Sequence, residues 1–222
     1  MWKFLSYPLD GKAFGYGDGD RFELKFVRSM CCGDTSNNSV FTMPTHYGTH
    51  IDFPFHFSDS GKRSTDYTAE DFVFDKVGII DISGLEINDY LIQNKDLNLD
   101  NISSEIDLLL VKTGFCNKRN SSEYWEKGYG FHKETAPFLK QHFPNLRAIA
   151  FDLISLNSYQ QREHGREAHK AYLTEQNILI IEEVDLREVD DQTKFKQLIV
   201  SPLYMDQADG APCTILADID EN

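Results

Sequence analysis

Thr45-His46-Tyr47-Gly48-Thr49-His50-Ile51-Asp52-Phe53-Pro54-Phe55-His56 is the stretch on which the reading of this chain turns. Sorted by parity, the even positions give His46, Gly48, His50, Asp52, Pro54 and His56. The odd positions give Tyr47, Thr49, Ile51, Phe53 and Phe55, and Phe57 continues that series. Alternate side chains of an extended chain point to opposite faces. One face would therefore carry imidazoles and a carboxylate, and the other would be almost wholly apolar and turned to a core. A helix does not sort them this way, because at about 100° per residue Asp52 falls opposite His46. Gly48 and Pro54 also argue against a helix interior, and Pro54 needs an edge or a bulge where no ladder donor is missed.

Imidazole nitrogen and carboxylate oxygen are the donors that zinc prefers, and manganese and iron(II) accept them too. His46, His50 and Asp52 lie close enough in sequence to wrap one ion, with the small Gly48 leaving room. His56 shares their parity and is either a fourth ligand or a proton-transfer residue beside the metal. A single histidine is ordinarily just a polar side chain, but three with an aspartate on one face would be costly to bury unpaired. A cation relieves that cost.

Outward from this segment, short branched apolar runs read as buried strands: Val77–Ile82, Leu108–Val111, Ala148–Phe151, Ile178–Ile181, Leu198–Val200 and Thr214–Leu216. Phe22–Val27 and Val40–Phe57 read as β structure as well. Helices are expected over Thr65–Phe72, Ile87–Asn94, Thr135–Phe143 and Arg162–Leu173, with Pro137 tolerated in a first turn. Strands interleaved with helices give an α/β class with a mixed, α+β-like sheet. No Gly-, Pro- or Ser-rich linker divides the chain, so one domain is expected over residues 1–222, with Gly11–Gly19 as a loop.

The 222 residues are 41% hydrophobic, 13% aromatic and 26% charged, which is the profile of a globular domain. The formal net charge of -14, from 36 acidic against 22 basic residues, repels nucleic acid and anionic membranes alike. The N-terminus has no apolar leader core, and no run approaches the ~20 apolar residues of a membrane span. Cys31, Cys32, Cys116 and Cys213 form neither a zinc-knuckle spacing nor a disulfide framework. A cytoplasmic protein with free thiols is the expectation, with neither nucleic acid nor membrane as a partner.

His46-x-Gly48-Thr49-His50-x-Asp52-x-Pro54-x-His56 resembles the HxGTHxDxPxH signature of the cyclase family, which includes bacterial kynurenine formamidase and isatin hydrolase, and every fixed position is matched. Leu5-Ser6-Tyr7-Pro8-Leu9 with Gly17-Asp18, Leu109–Phe115, Ala150–Ser155 and Asp209-Gly210-Ala211-Pro212 resemble further stretches of the family. The resemblance implies a swivelling β/β/α fold, a homodimer or homotetramer, one or two divalent metals per subunit, and hydrolysis of an amide or lactam bond in a small molecule. It implies metal ligation by His46, His50 and Asp52, completed by His169 on a helix and Glu182 on the next strand, with His56 as proton donor and acceptor. Zinc is the first expectation for the metal and manganese the second.

The residues alone say less about the later positions. His164 and His169 are about 140° apart on a helix and cannot share a face. Glu182 and Glu183 fall on opposite faces of a strand, so only one of them can reach the metal, and parity does not say which. The kynurenine formamidases of the family carry Trp-Pro-Gly-Asp where this chain has Phe14-Gly15-Tyr16-Gly17-Asp18; either Phe14 or Tyr16 stands in for the aromatic wall of a substrate pocket, or both rings simply anchor this Gly-rich loop. Thr214 stands where many members have Arg. The reading is a metal-dependent amidohydrolase of the kynurenine formamidase kind. A lactam or lactone hydrolase of the isatin hydrolase kind and a metal-binding module without turnover are the alternatives.

Overall fold

A computed structural model of the chain describes residues 1–220, so the last two positions of the expected 1–222 domain lie outside the described residues. The strands are, in chain order, β1 (Trp2–Phe4), β2 (Glu23–Arg28), β3 (Asn38–Thr42), β4 (His50–Asp52), β5 (Val73–Phe74), β6 (Val77–Asp81) and β7 (Leu91–Ile92). They continue as β8 (Leu108–Lys112), β9 (Gly130–Phe131), β10 (Ala148–Phe151), β11 (Leu179–Glu182), β12 (Phe195–Pro202) and β13 (Gly210–Ile219). Three α-helices join them: α1 (Glu123–Glu126), α2 (Thr135–His142) and α3 (Arg162–Lys170), the last running on into a π-helical turn at Ala171–Glu175.

One mixed sheet organises the molecule in the order β5-β12-β13-β4-β11-β10-β8-β6, with β1 added on β13. Strands β6, β8, β10 and β11 run parallel, and β4, β13, β12 and β5 add antiparallel. Strand β12 also comes against β6, so the sheet nearly closes on itself. This is the α/β class with a mixed sheet that the apolar runs and the family resemblance imply.

Both faces of the parallel strands are buried, which is why they read as unbroken apolar runs. In β8, Leu109 and Val111 face a helical layer with Ala136 and Leu139 of α2 and Ala168 of α3, while Leu108 and Leu110 face the interior of the curled sheet with Ile51, Phe53, Val200 and Ile215. The register carries this through the neighbours: Leu109 lies opposite Ile149, and Ile149 opposite Ile180.

Three expectations are corrected. Thr65–Phe72 is not a helix but two 3-10 turns, Ser64–Asp66 and Ala69–Phe72, each closed by an aspartate that accepts a backbone N–H, Asp66 from Arg63 and Asp71 from Thr68. Ile87–Asn94 holds a 3-10 turn at Asn88–Tyr90 and then β7, because Asp89 and Tyr90 take the left-handed conformation (φ 53° and 60°) and end any helix there. Val40–Phe57 is not continuous β structure either: β3 ends at Thr42 and only His50–Asp52 forms a strand. Gly48, at φ 67°, turns the chain before β4, and Pro54 opens a 3-10 turn over Pro54–His56 after it. No helix among the described residues is long and apolar enough to cross a membrane.

Candidate metal centre

Strand β4 lies in the middle of the sheet, antiparallel to both β11 and β13, with His50 opposite Glu182 and Asp52 opposite Gly210. Strand alternation sends Ile51 into the sheet interior and turns His50 and Asp52 together to the other face. Glu182, at the end of β11, is held there by the Leu156 N–H, which donates to its Oε1 at 2.6 Å. His169, in the last turn of α3, meets them from the helical layer, its ring stacked on Phe57 with centroids 4.6 Å apart. All four side chains are buried.

Both buried imidazoles are fixed by their backbones. His50 donates its Nδ1–H to the Gly48 carbonyl at 2.7 Å, and His169 donates its Nδ1–H to the Gly165 carbonyl at 2.7 Å. A neutral ring with its hydrogen on Nδ1 presents a lone pair at Nε2. His50 Nε2 faces Glu182 Oε2 at 3.3 Å and Asp52 Oδ1 at 3.5 Å; His169 Nε2 faces Glu182 Oε1 at 3.7 Å and Asp52 Oδ2 at 3.8 Å. Acceptors therefore confront acceptors, and His50 Nε2 is buried without a hydrogen-bond partner. Only protons or a cation can hold such a cluster together. Burial opposes charge on both rings, but Glu182 and Asp52 outweigh it and raise both pKa values. Burial likewise works against ionised Asp52 and Glu182. The surrounding histidines win, His46 first for Asp52 and His169 first for Glu182, and hold both carboxyls below their usual range.

Above this buried floor is a half-open rim of His46, His56 and Asp209. His46 comes off the turn before β4, its Nδ1 2.8 Å from Asp52 Oδ1 and its Nε2 3.0 Å from Asp209 Oδ2. Burial opposes its protonation, yet Asp52 and Asp209 together raise its pKa to about 10. His56 comes off the 3-10 turn after β4 and stacks on His46, ring centroids 4.0 Å apart. Gly210 forms the back wall: a Cβ there would stand 2.9 Å from each ring nitrogen of His46 and nearer still to Cε1.

Among the described residues, three overlapping triads could hold a cation, the donor atoms of each within 4.8 Å of one another: His46-His50-Asp52, Asp52-His169-Glu182 and His46-His56-Asp209. The structure thus brings together His46, His50, Asp52, His56, His169 and Glu182 although only two of them share a strand face. Glu183 goes the other way: at φ 52° it leaves the strand and buries its carboxylate against Arg119 Nε at 3.2 Å. His164 stays apart, accepting from the Lys133 N–H. Tyr16 accepts from Asn157 Nδ2 at 3.0 Å, next to the loop that holds Glu182, and burial pushes its phenol up to about 12. Phe14 lies under the Arg21 guanidinium in its own loop, 4.6 Å from it. Asp209 is the residue that reading the sequence missed as a site member, and the Asp-Gly step into β13 is the one local sign of it.

The signature, the sheet and the site place this chain in a family: residues 4–158 match the model of the putative cyclases, and the chain belongs to that cyclase family. It is 36% identical to a kynurenine formamidase of Bacillus cereus over 211 residues, covering 95% of this chain and 94% of the relative. To a kynurenine formamidase of Bacillus anthracis it is 31% identical over the same length. Among solved structures it is similar to isatin hydrolase A from Labrenzia aggregata, with a TM-score of 0.82 and 20% identity, over 100% of this chain and 94% of that one.

Proposed function

We propose that this protein is a metal-dependent amidohydrolase that cleaves the carbon–nitrogen bond of a small aryl amide, as its kynurenine formamidase relatives are named for. The observation that carries the reading is the buried confrontation of His50 and His169 lone pairs with the Asp52 and Glu182 carboxylates, which calls for a cation and has nitrogen and oxygen donors of the kind zinc takes, with manganese second. His46, His50 and Asp52 would hold one ion and Asp52, His169 and Glu182 a second, Asp52 being common to both. Such an ion supplies Lewis acidity and charge neutralisation at the reacting carbonyl when bound.

The remaining chemistry belongs to side chains of the rim. His56 is partly exposed, beside the ligands rather than beneath them, and its imidazole takes a proton from the attacking water and returns it to the leaving nitrogen. The buried floor excludes solvent from the far side of the site, so substrate enters over His46, His56 and Asp209. Tyr16, fixed by Asn157 next to the residue that holds Glu182, serves as part of the substrate wall, with Phe14 two residues before it in the same loop.

The chain also acts as a homo-oligomer, a dimer or tetramer, in the cytoplasm. The β2–β3 hairpin exposes Leu24, Phe26, Val27, Val40 and Phe41, and a two-stranded ribbon is marginally stable without a cover.

The test is a panel of N-formyl anilides and aryl lactams assayed with zinc- and manganese-loaded protein, alongside the His56→Ala variant. The expected result is turnover of the open formamides. The variant keeps its metal and loses activity by about 10² to 10⁴-fold. Turnover of lactams alone would move the substrate class to the cyclic amides. A chain that retains less than about 0.1 metal per subunit after metal-supplemented growth would sink the metalloenzyme reading.

A further inference from the structure

Asp209 immediately precedes β13, and its carbonyl accepts the Phe53 N–H at 2.9 Å, so its backbone is tied to the segment between β4 and the His56 turn. Its side chain does three things at once. Oδ2 accepts from His46 Nε2 at 3.0 Å and from His56 Nδ1 at 3.1 Å, and Oδ1 accepts from the Thr45 hydroxyl at 3.2 Å. The two imidazoles that meet on this one oxygen lie nearly parallel, at 29°.

An ionised carboxylate has no hydrogen to give, so both rings must donate to it. For His56 this fixes the hydrogen on Nδ1 and leaves Nε2 as the basic nitrogen. For His46 it places a hydrogen on Nε2 and leaves Nδ1 for the cluster, the arrangement in which a ligating histidine hands its other N–H to a carboxylate. We propose that Asp209 is the positioning residue of this site: one carboxylate oxygen sets the tautomer of both the proton carrier His56 and the ligand His46. The proposal rests on the reading of His56 as proton carrier. The Thr45 hydrogen bond completes the device, because it occupies Oδ1 and leaves Oδ2 for the two rings.

Asp209→Asn separates positioning from support. The amide has nearly the shape of the carboxylate, but its NH₂ donates to His56 Nδ1 and moves the ring hydrogen to Nε2, where it can no longer accept a proton. The expected result is a fall in kcat of about 10² to 10⁴-fold with KM changed by less than about threefold, as for an aspartate that orients a catalytic histidine. The same NH₂ faces His46 Nε2 and turns that ring toward its Nδ1–H form, so zinc affinity falls about 10- to 100-fold and the rate is read at saturating zinc. The melting temperature in chelator stays close to the parent's, and Asp209→Glu recovers part of the rate.

A second measurement does not depend on turnover. In ¹⁵N-histidine NMR spectra of the zinc-loaded protein, with His56 assigned from the His56→Gln variant, the parent shows the Nδ1–H form and Asp209→Asn the Nε2–H form. If the tautomer switches but no amide is ever hydrolysed, the proposed function fails and the positioning role stands. A parent His56 already in the Nε2–H form overturns the proposal. So does an Asp209→Asn protein that keeps both its rate and its zinc affinity, or one that is already unfolded in chelator.

Discussion

Replacing Gly210 by Ala probes the site with one methyl group. Gly210 has an ordinary β-strand conformation, so an alanine costs nothing in backbone strain and the whole effect is steric. The new Cβ would stand 2.9 Å from Nδ1 and Nε2 of His46 and closer to Cε1, whereas non-bonded heavy atoms settle at about 3.5 to 4.0 Å. The ring must therefore retreat by roughly 1 Å. That carries its hydrogen bond to Asp209, now 3.0 Å, beyond range, and draws Nδ1 away from its place 2.8 Å from Asp52. A hydrogen bond to a charged group is worth about 1.5 to 3 kcal/mol, so losing the Asp209 bond displaces His46 from the ligand set at about that cost. At about 1.4 kcal/mol per tenfold, zinc affinity should fall about 10- to 100-fold. The assay is competition with a chromophoric chelator at fixed pH, paired with thermal melts in chelator and in excess zinc. The two proteins should melt within a few degrees of each other in chelator, and the gap should widen in zinc, where the parent gains more from binding. A Gly210→Ala protein that binds zinc within about twofold of the parent would show that His46 is not seated against this wall as a ligand.

Two further perturbations address the scaffold around the site. Arg119→Ala leaves the buried Glu183 carboxylate without its cation, at 2% exposure, and should destabilise the fold by about 3 to 5 kcal/mol in urea unfolding; a cost under about 1 kcal/mol would mean that the pair is solvated. Asp185 meets Arg187 through two bonds, Nε to Oδ1 at 2.8 Å and Nη2 to Oδ2 at 2.7 Å. Burial works to raise its pKa, but Arg187 overrides this and holds it below the usual carboxylate value. A depressed folded-state pKa stabilises above the unfolded value of about 3.9 and is lost as pH falls through the lower folded value. Asp185→Asn should therefore cost about 0.5 to 1 kcal/mol at pH 7, after allowance for the solvent around Arg187, and progressively less as the pH falls below the unfolded value; a pH-independent difference in urea midpoints would refute the assignment.

Much of this molecule can be read from its sequence because the sheet buries both faces of its parallel strands. Runs such as Leu108–Val111 and Ala148–Phe151 have no other stable place, and they form β8 and β10. The helical stretch at Arg162–Leu173 shows for a related reason, since its buried residues recur at helical spacing, although the chain loosens into a π turn from Ala171. What stays hidden depends on partners far away in the chain. Leu91–Ile92 is a strand only because Gly130–Phe131 lies beside it, and nothing near residue 91 announces that. Parity separates Glu182 from Glu183, but the choice between them is made by the Leu156 N–H and by Arg119. The alternation read over residues 46–57 holds only for His50 and Asp52. His46 and His56 reach the same place through turns set by Gly48 and Pro54. Asp209 reaches them from 153 residues beyond His56, a pairing that the fold creates and local pattern does not show.

The three-residue strand β4 is hydrogen-bonded on both sides, to β11 and to β13, at the seam where the parallel half of the sheet gives way to the antiparallel half. His50 and Asp52 can be released only if that seam parts, and it cannot part without opening the interior packed around Ile51. Amide exchange at Ile51 should therefore run at the rate of global unfolding, while the turns bearing His46 and His56 breathe on their own. The protein grips from an immovable keel and works with a pliant gunwale.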